Sequence, residues 1–258
     1  RIVSNTGITA NNWNFNNISK PKGVNYTYFN DEHQKYVYDY ALQEMKCDEN
    51  GKPEEMVIKG AVVSKEVVSS YIQIFKDAGL KLRTLIPQEI ALGNIMEMAL
   101  AEHKIEAEKE YCIVNLGHCS TEGYIFKGNK QVVLRNISIG NCAIDRVISE
   151  NEHVDEYVAR TYKNNNYHNV LEQDYCREAF GRVAVEIMKV INFYRFSNRD
   201  TTLDEIYFMG GGSNIKALCE TIAETNDMQC RYVSDLVPVN IDKDANLAGV
   251  LALGVLLQ

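Results

Sequence analysis

The sequence predicts an α/β protein, and three observations carry that prediction. Short apolar segments at YCIVNLG (111–117), STEGYIFKG (120–128) and QVVLRNISIG (131–140) follow one another at strand length with turn residues between them. The apolar run EIYFM (205–209) enters Gly210-Gly211-Gly212-Ser213 and then an amphipathic stretch, NIKALCETIAET. Ahead of both lies a separate first part, in which alternating segments give way to helical ones, the second helix opening at Gln88.

Residues 1–33 are asparagine-rich and weakly patterned, which predicts a strand remnant at Ile2–Val3 and then loop. KYVYDYALQEM (35–45) alternates apolar with polar residues, Asp48–Pro53 supplies a turn, and MVIKGAVV (56–63) returns, so a β-hairpin is expected. Ser64 is placed to cap a helix over KEVVSSYIQIFKDA that stops at Gly79. KLRTLI (81–86) predicts a strand, and Pro87 introduces a helix from Gln88 to about His103. Beyond the three-strand meander, helices are predicted over 141–163 and 171–197, with the polar KNNNYHN (163–169) read as solvated loop. A short strand at 229–233 and a last apolar helix from Asn246 to Leu257 complete the order.

At 258 residues, 45% of them apolar, the chain is long enough for one large or two medium domains. Its 27 basic residues against 35 acidic ones give a net charge of −8, which excludes general attraction to nucleic acid or anionic lipid. The seven cysteines (47, 112, 119, 142, 176, 219, 230) never form C-x-x-C and read as reduced thiols of a cytosolic protein. No apolar run approaches the ~18 residues of a membrane span, so no direct membrane insertion is expected. An opening RIVSNTG without methionine reads as the start of an excised fragment.

Two turns carry chemistry. In Asn115-Leu116-Gly117-His118-Cys119-Ser120-Thr121 a strand ends at glycine, hydroxylated residues follow, and a second strand leaves at once. Backbone N–H groups and two hydroxyls in such a turn suit phosphate oxygens, although an ordinary strand turn has the same form and is commoner. Gly210-Gly211-Gly212-Ser213, lacking β-carbons, lets a planar ligand or a phosphate approach the backbone. It has neither the G-x-G-x-x-G spacing of a dinucleotide fingerprint nor the lysine of a P-loop. Gln88 could orient a water from the start of its helix or simply be a polar first-turn residue, and Glu89 beside it could share that role or favour the helix dipole. His118 and Cys119 read as turn residues, and with Cys112 they lack any zinc spacing, so no metal ligands are assigned.

Taken in order, PQEIAL (87–92), CIVNLGHCSTEGYIF with the downstream LRNISIG, and IYFMGGGSNIKAL resemble the superfamily of actin, the heat-shock chaperone ATPases and the sugar kinases. Within it, VVSKEVVSSYIQIFKDAGL, ISIGNCAIDRVIS, AVEIMKVINFYRFSN and NLAGVLALGVLLQ resemble the PilM family of type IV pilus assembly proteins, relatives of the division protein FtsA. The resemblance covers about 35–258 and fits residues 1–34 only loosely. It implies an actin-like, ribonuclease H-like fold of two lobes, the first incomplete. Residues 1–86 would be a small extra subdomain with a remnant of the first lobe, 87–110 a connecting helix, 111–234 the second lobe with a helical insertion at about 141–180, and 235–258 a helix returning to the first lobe.

By position, the resemblance implies that Gly117, Ser120 and Thr121 meet the terminal phosphates of ATP, that Gly210, Gly211, Gly212 and Ser213 border adenosine, and that Gln88 positions the attacking water. Two departures weaken this. Asn115 stands where the family motif begins with aspartate, a poorer partner for hydrated Mg²⁺. The family's first phosphate motif has no counterpart here. Loss of one charged contact commonly costs about 2–4 kcal/mol of transition-state stabilisation, so ATP–Mg²⁺ should bind weakly or not at all and ATPase activity should be weak or absent. The resemblance further implies a cytoplasmic scaffold held at the inner face of the membrane by partners, with the short tail of a bitopic, PilN-like protein docking beside the subdomain of residues 1–80. Self-association is compatible with it. An FtsA-like tether and a true ATPase or sugar kinase are the alternatives. The apolar last helix has no basic face for the first, and Asn115 stands against the second.

Overall fold

The computed structural model describes residues 35–47, 49, 53–201, 203–237 and 243–257. The expected strand and loop before residue 34 therefore lie outside the described residues. Two compact units divide within the first turn of one helix, at Ala91/Leu92.

The first unit contains the predicted hairpin. Strands β1 (Tyr36–Cys47) and β2 (Pro53–Ser64) pair antiparallel with Tyr36 opposite Ser64, and the register shifts between Leu42 and Glu44. Helix α1 (Lys65–Asp77) follows without a break. The Ser64 hydroxyl accepts the Val67 N–H at 3.3 Å, and the helix closes at Gly79 (φ 70°). There Leu80 N–H donates to Phe75 O at 2.8 Å and Gly79 N–H to Lys76 O at 3.0 Å, the paired bonds of a Schellman stop. Residues 81–86 correct the sequence reading, because they form no strand. An extended segment becomes a strand only by pairing with a neighbouring edge, and residues 81–86 join neither of the two sheets among the described residues.

Helix α2 (Gln88–Ala101) begins where expected, and Pro87 O accepts the N–H groups of Ile90 and Ala91. In the second unit its buried residues Leu92, Ile95, Met96 and Ala99 recur at the spacing of one helical face. That face packs on a five-stranded sheet of order β5-β4-β3-β6-β7. Strands β3 (Glu110–Leu116), β4 (Thr121–Lys127) and β5 (Lys130–Ile137) make the antiparallel meander, while β6 (Glu205–Met209) joins β3 in parallel and β7 (Gln229–Tyr232) joins β6 in parallel.

Alternation along the strands separates two cores. Tyr111, Ile113, Tyr124, Phe126, Tyr207 and Met209 face α2 and the last helix, α7 (Lys243–Leu256). Cys112, Val114, Leu116, Ile125, Ile206 and Phe208 face the opposite core. Helices α3 (Cys142–Glu152), α5 (Asp174–Ser197) and α6 (Lys216–Thr225) cover that second face. Strands β3 and β6 are buried on both faces, which explains why they read as continuous apolar runs rather than alternating ones.

The helical segments expected over 141–163 are two helices. His153 takes a left-handed conformation (φ 55°) that ends α3, and α4 (Glu156–Asn165) restarts on an Asp155 cap that accepts from the N–H groups of Tyr157 and Val158. KNNNYHN is likewise corrected. It completes α4 and enters a 3₁₀ turn at Tyr167–Glu172, using positive φ at Asn166 and Asn169, where asparagine is tolerated. Its Lys163, read as solvated, is buried.

Candidate functional site

Parallel pairing of β3 with β6 matches Asn115 to Met209, so both chains leave the sheet at the same end. The turns at 117–121 and 210–213 are thereby neighbours, in the crevice beyond the carboxyl ends of parallel strands where α/β sheets hold ligands. Asn115, Gly117, Ser120 and Thr121 are brought together with Gly210, Gly211, Gly212 and Ser213. Gln88 opens α2 in the first unit.

Close approach of the two turns is what requires their glycines. A Cβ on Gly210 (φ 84°) would overlap Asn115 Oδ1 and lie 2.9 Å from Leu116 O. One on Gly212 would lie 2.5 Å from Asn141 Oδ1 and 2.7 Å from Leu116 Cβ, and one on Gly117 would lie 2.7 Å from Ser120 O. Gly211 differs, since a Cβ there would meet nothing within 4 Å. Exposed Gly211 and half-buried Ser120 therefore border the open side, whereas Gly210 and Gly212 serve the packing of turn on turn.

Polar atoms within this packing are satisfied internally. Gly117 N–H donates to Ser120 O at 3.0 Å. The buried Thr121 hydroxyl donates to Ile139 O at 2.7 Å, and the buried Ser213 hydroxyl to Gly210 O at 2.6 Å. The amide of Asn115 donates to Glu122 Oε2 at 2.9 Å. Thus a carboxylate from β4 engages the turn, and it also accepts from Tyr124 OH at 3.2 Å.

Several residues of the site escaped sequence reasoning. Asn141 is buried and joins three segments: its Nδ2 donates to Leu116 O at 3.2 Å, its N–H to Gly117 O at 3.0 Å, and its carbonyl accepts from Lys163 Nζ at 3.4 Å. Cys142 N–H donates to His118 O at 2.8 Å, so the first amides of α3 clamp the turn. A Cβ on the buried Gly140 would lie 2.6 Å from the Cys119 carbonyl carbon. Behind the clamp, Asp145 is fully buried, with Lys163 Nζ 2.6 Å from one oxygen and Arg160 Nε 3.4 Å from the other. Arg160 Nη2 stands 3.3 Å from His118 Nε2. The signal for Gly140-Asn141 was a glycine directly before a helix start; the charged cluster carried none, because Lys163 opens the segment read as solvated loop.

Burial pushes the thiols of Cys112 and Cys176 up to about 12, which removes both as nucleophiles at neutral pH. Among the described residues no group of three metal-ligating side chains occurs. The residues at the turn do not fit an Mg²⁺ anchor: Asn115 is neutral and its amide is committed to Glu122, which is itself engaged by Asn115 and Tyr124. For a nucleotide the open border at Gly211 and Ser120 is suitable.

A mixed sheet with helices on both faces, and with two glycine-containing turns meeting beyond the ends of its paired parallel strands β3 and β6, defines an α/β fold. The family model of the type IV pilus assembly protein PilM matches residues 32–248, and the chain belongs to that family. Among solved structures it is similar to the PilM-PilN type IV pilus biogenesis complex, at 20% identity and a TM-score of 0.71, over 89% of this chain and 68% of that one. The ethanolamine utilization protein EutJ from Carboxydothermus hydrogenoformans is 15% identical, with a TM-score of 0.48 over 76% of this chain and 84% of its own. The archaeal actin homolog Ta0583, which has also been solved in complex with ADP, is 16% identical, with a TM-score of 0.45 over 78% and 57%. No curated protein sequence matches.

Proposed function

We propose that this chain is a scaffold of a type IV pilus machine that docks the cytoplasmic tail of a PilN-like membrane protein and holds nucleotide as a structural ligand. Membership of the PilM family over residues 32–248 carries the reading. The similarity in fold to a PilM-PilN complex supports the choice of partner. Among the described residues no helix is long and apolar enough to cross a membrane, so attachment at the inner face would come through that partner.

Helix α1 supports a docking role for the part of the chain before α2. Val67, Tyr71, Ile72 and Ile74 are 43–62% exposed, and no residue of the helix is buried. A short tail could bury apolar anchors on such a surface, offsetting the cost of its own ordering. The neutral Asn115 and the internally satisfied turn support slow or absent hydrolysis, since phosphoryl transfer depends on charge placed at the phosphates.

The test is fluorescence anisotropy with a labelled peptide copying the cytoplasmic tail of a PilN-like membrane protein. Saturable binding at about 1–10 μM, lost when the apolar residues of the peptide are changed to aspartate, is expected. Absence of binding at about 1 mM protein would overturn the scaffold reading. Phosphate release from ATP, measured in parallel, should not exceed the rate without protein by more than a few fold.

A further inference from the structure

We propose that Arg160 is a phosphate-binding residue of this site, a direct cationic partner for the terminal phosphates of a nucleoside triphosphate in place of a metal. The proposal rests on the nucleotide part of the reading above. Its starting point is charge. Asp145, in the first turn of α3, is fully buried, and a buried carboxylate requires a partner. Lys163, itself 7% exposed, supplies one at 2.6 Å and is held in place by Asn141 O. One negative charge is thereby matched.

A second cation approaches the same carboxylate from one helical turn earlier on α4. Arg160 places Nε 3.4 Å from Asp145 Oδ2, but its side chain remains 45% exposed, and its Nη2 reaches His118 Nε2 at 3.3 Å. Asp145 thus works as a brace. It fixes the inner edge of the guanidinium and leaves the outer edge beside the residue that follows Gly117 in the turn. The group carries one positive charge in excess, at a turn whose Gly117 and Ser120 offer none. The other arginine of these helices, Arg146, pairs elsewhere, with Glu156 at 3.7 Å.

The chemistry matches the departure at Asn115. With Asn115 neutral and the Glu122 carboxylate engaged by Asn115 and Tyr124, the charge of a triphosphate needs another counterion than hydrated Mg²⁺, and a braced guanidinium meets phosphate oxygens through two parallel N–H groups. Binding of this kind discriminates by phosphate number and does not depend on Mg²⁺.

Calorimetric titration of ATP and AMP, each with and without Mg²⁺, against the wild-type chain, Arg160→Gln and Arg160→Lys tests it. Expected are tighter binding of ATP than of AMP, little gain from Mg²⁺, and an ATP affinity lowered about tenfold or more in Arg160→Gln with AMP unchanged. Arg160→Lys should recover part of the loss, and thermal midpoints should show that all three proteins are folded. ATP and AMP weakened equally, or ATP unaffected, would overturn the role of Arg160 while nucleotide binding stood. No binding of ATP by wild type would remove both, leaving the partner-tail reading to its own test.

Discussion

The carboxyl end of the β3/β6 pair and helix α1 solve opposite problems. At the sheet end polar groups are turned inward and matched: Asn141 joins three segments, Thr121 and Ser213 spend their hydroxyls on carbonyls, and Asp145 is braced by two cations. On α1 apolar groups are turned outward, with Ile74 62% exposed and no side chain of the helix buried. Such a sheet end is rigid and intolerant of substitution. On the proposed reading, a helix of the second kind is the surface offered to a partner.

The most severe test of this contrast is Lys163→Met. Removing one member of a buried ion pair leaves Asp145 with only the longer contact to Arg160, and a loss of about 3 kcal/mol or more is expected by urea denaturation. A loss below about 1 kcal/mol would show that the sheet end is not held together by its buried charges.

Gly140→Ala comes next. The atoms a Cβ would strike are the backbone of His118 and Cys119, which cannot rotate away, so a destabilisation of about 2 kcal/mol is expected. The control is Gly181→Ala within α5. A Cβ there meets nothing within 4 Å, and replacing a helical glycine should stabilise the protein by about 0.5–1 kcal/mol. Opposite signs for one substitution at two glycines would establish that close approach, rather than glycine content, governs the turn.

Much of this contrast was legible in the sequence, and the rest was hidden for physical reasons. Periodicity located the hairpin, the meander and the apolar face of α2, because local pattern and tertiary burial agree there. The turns at 115–121 and 210–213 were legible because glycine and hydroxyl residues follow apolar strands. Residues 81–86 misled, since pairing partners are not written into the segment itself. Lys163 misled for a related reason: a charged residue among asparagines looks solvated until the carboxylate it faces, 18 positions earlier at Asp145, is placed against it. Asn141 depends likewise on Leu116, 25 residues away.

The smallest effect on stability belongs to α1 and is the sharpest test of its role. Ile72 is half exposed, so Ile72→Glu removes little buried area and introduces no buried charge. Its free energy of unfolding should stay within about 0.5 kcal/mol of wild type. If α1 receives the apolar anchors of a partner tail, the same substitution should place a carboxylate against a desolvated surface and weaken the peptide complex at least about tenfold in the anisotropy assay. A change confined to stability would make α1 part of the unit's own core. A change confined to binding makes the exposed face functional, and it separates the two regions by the quantity that each one controls.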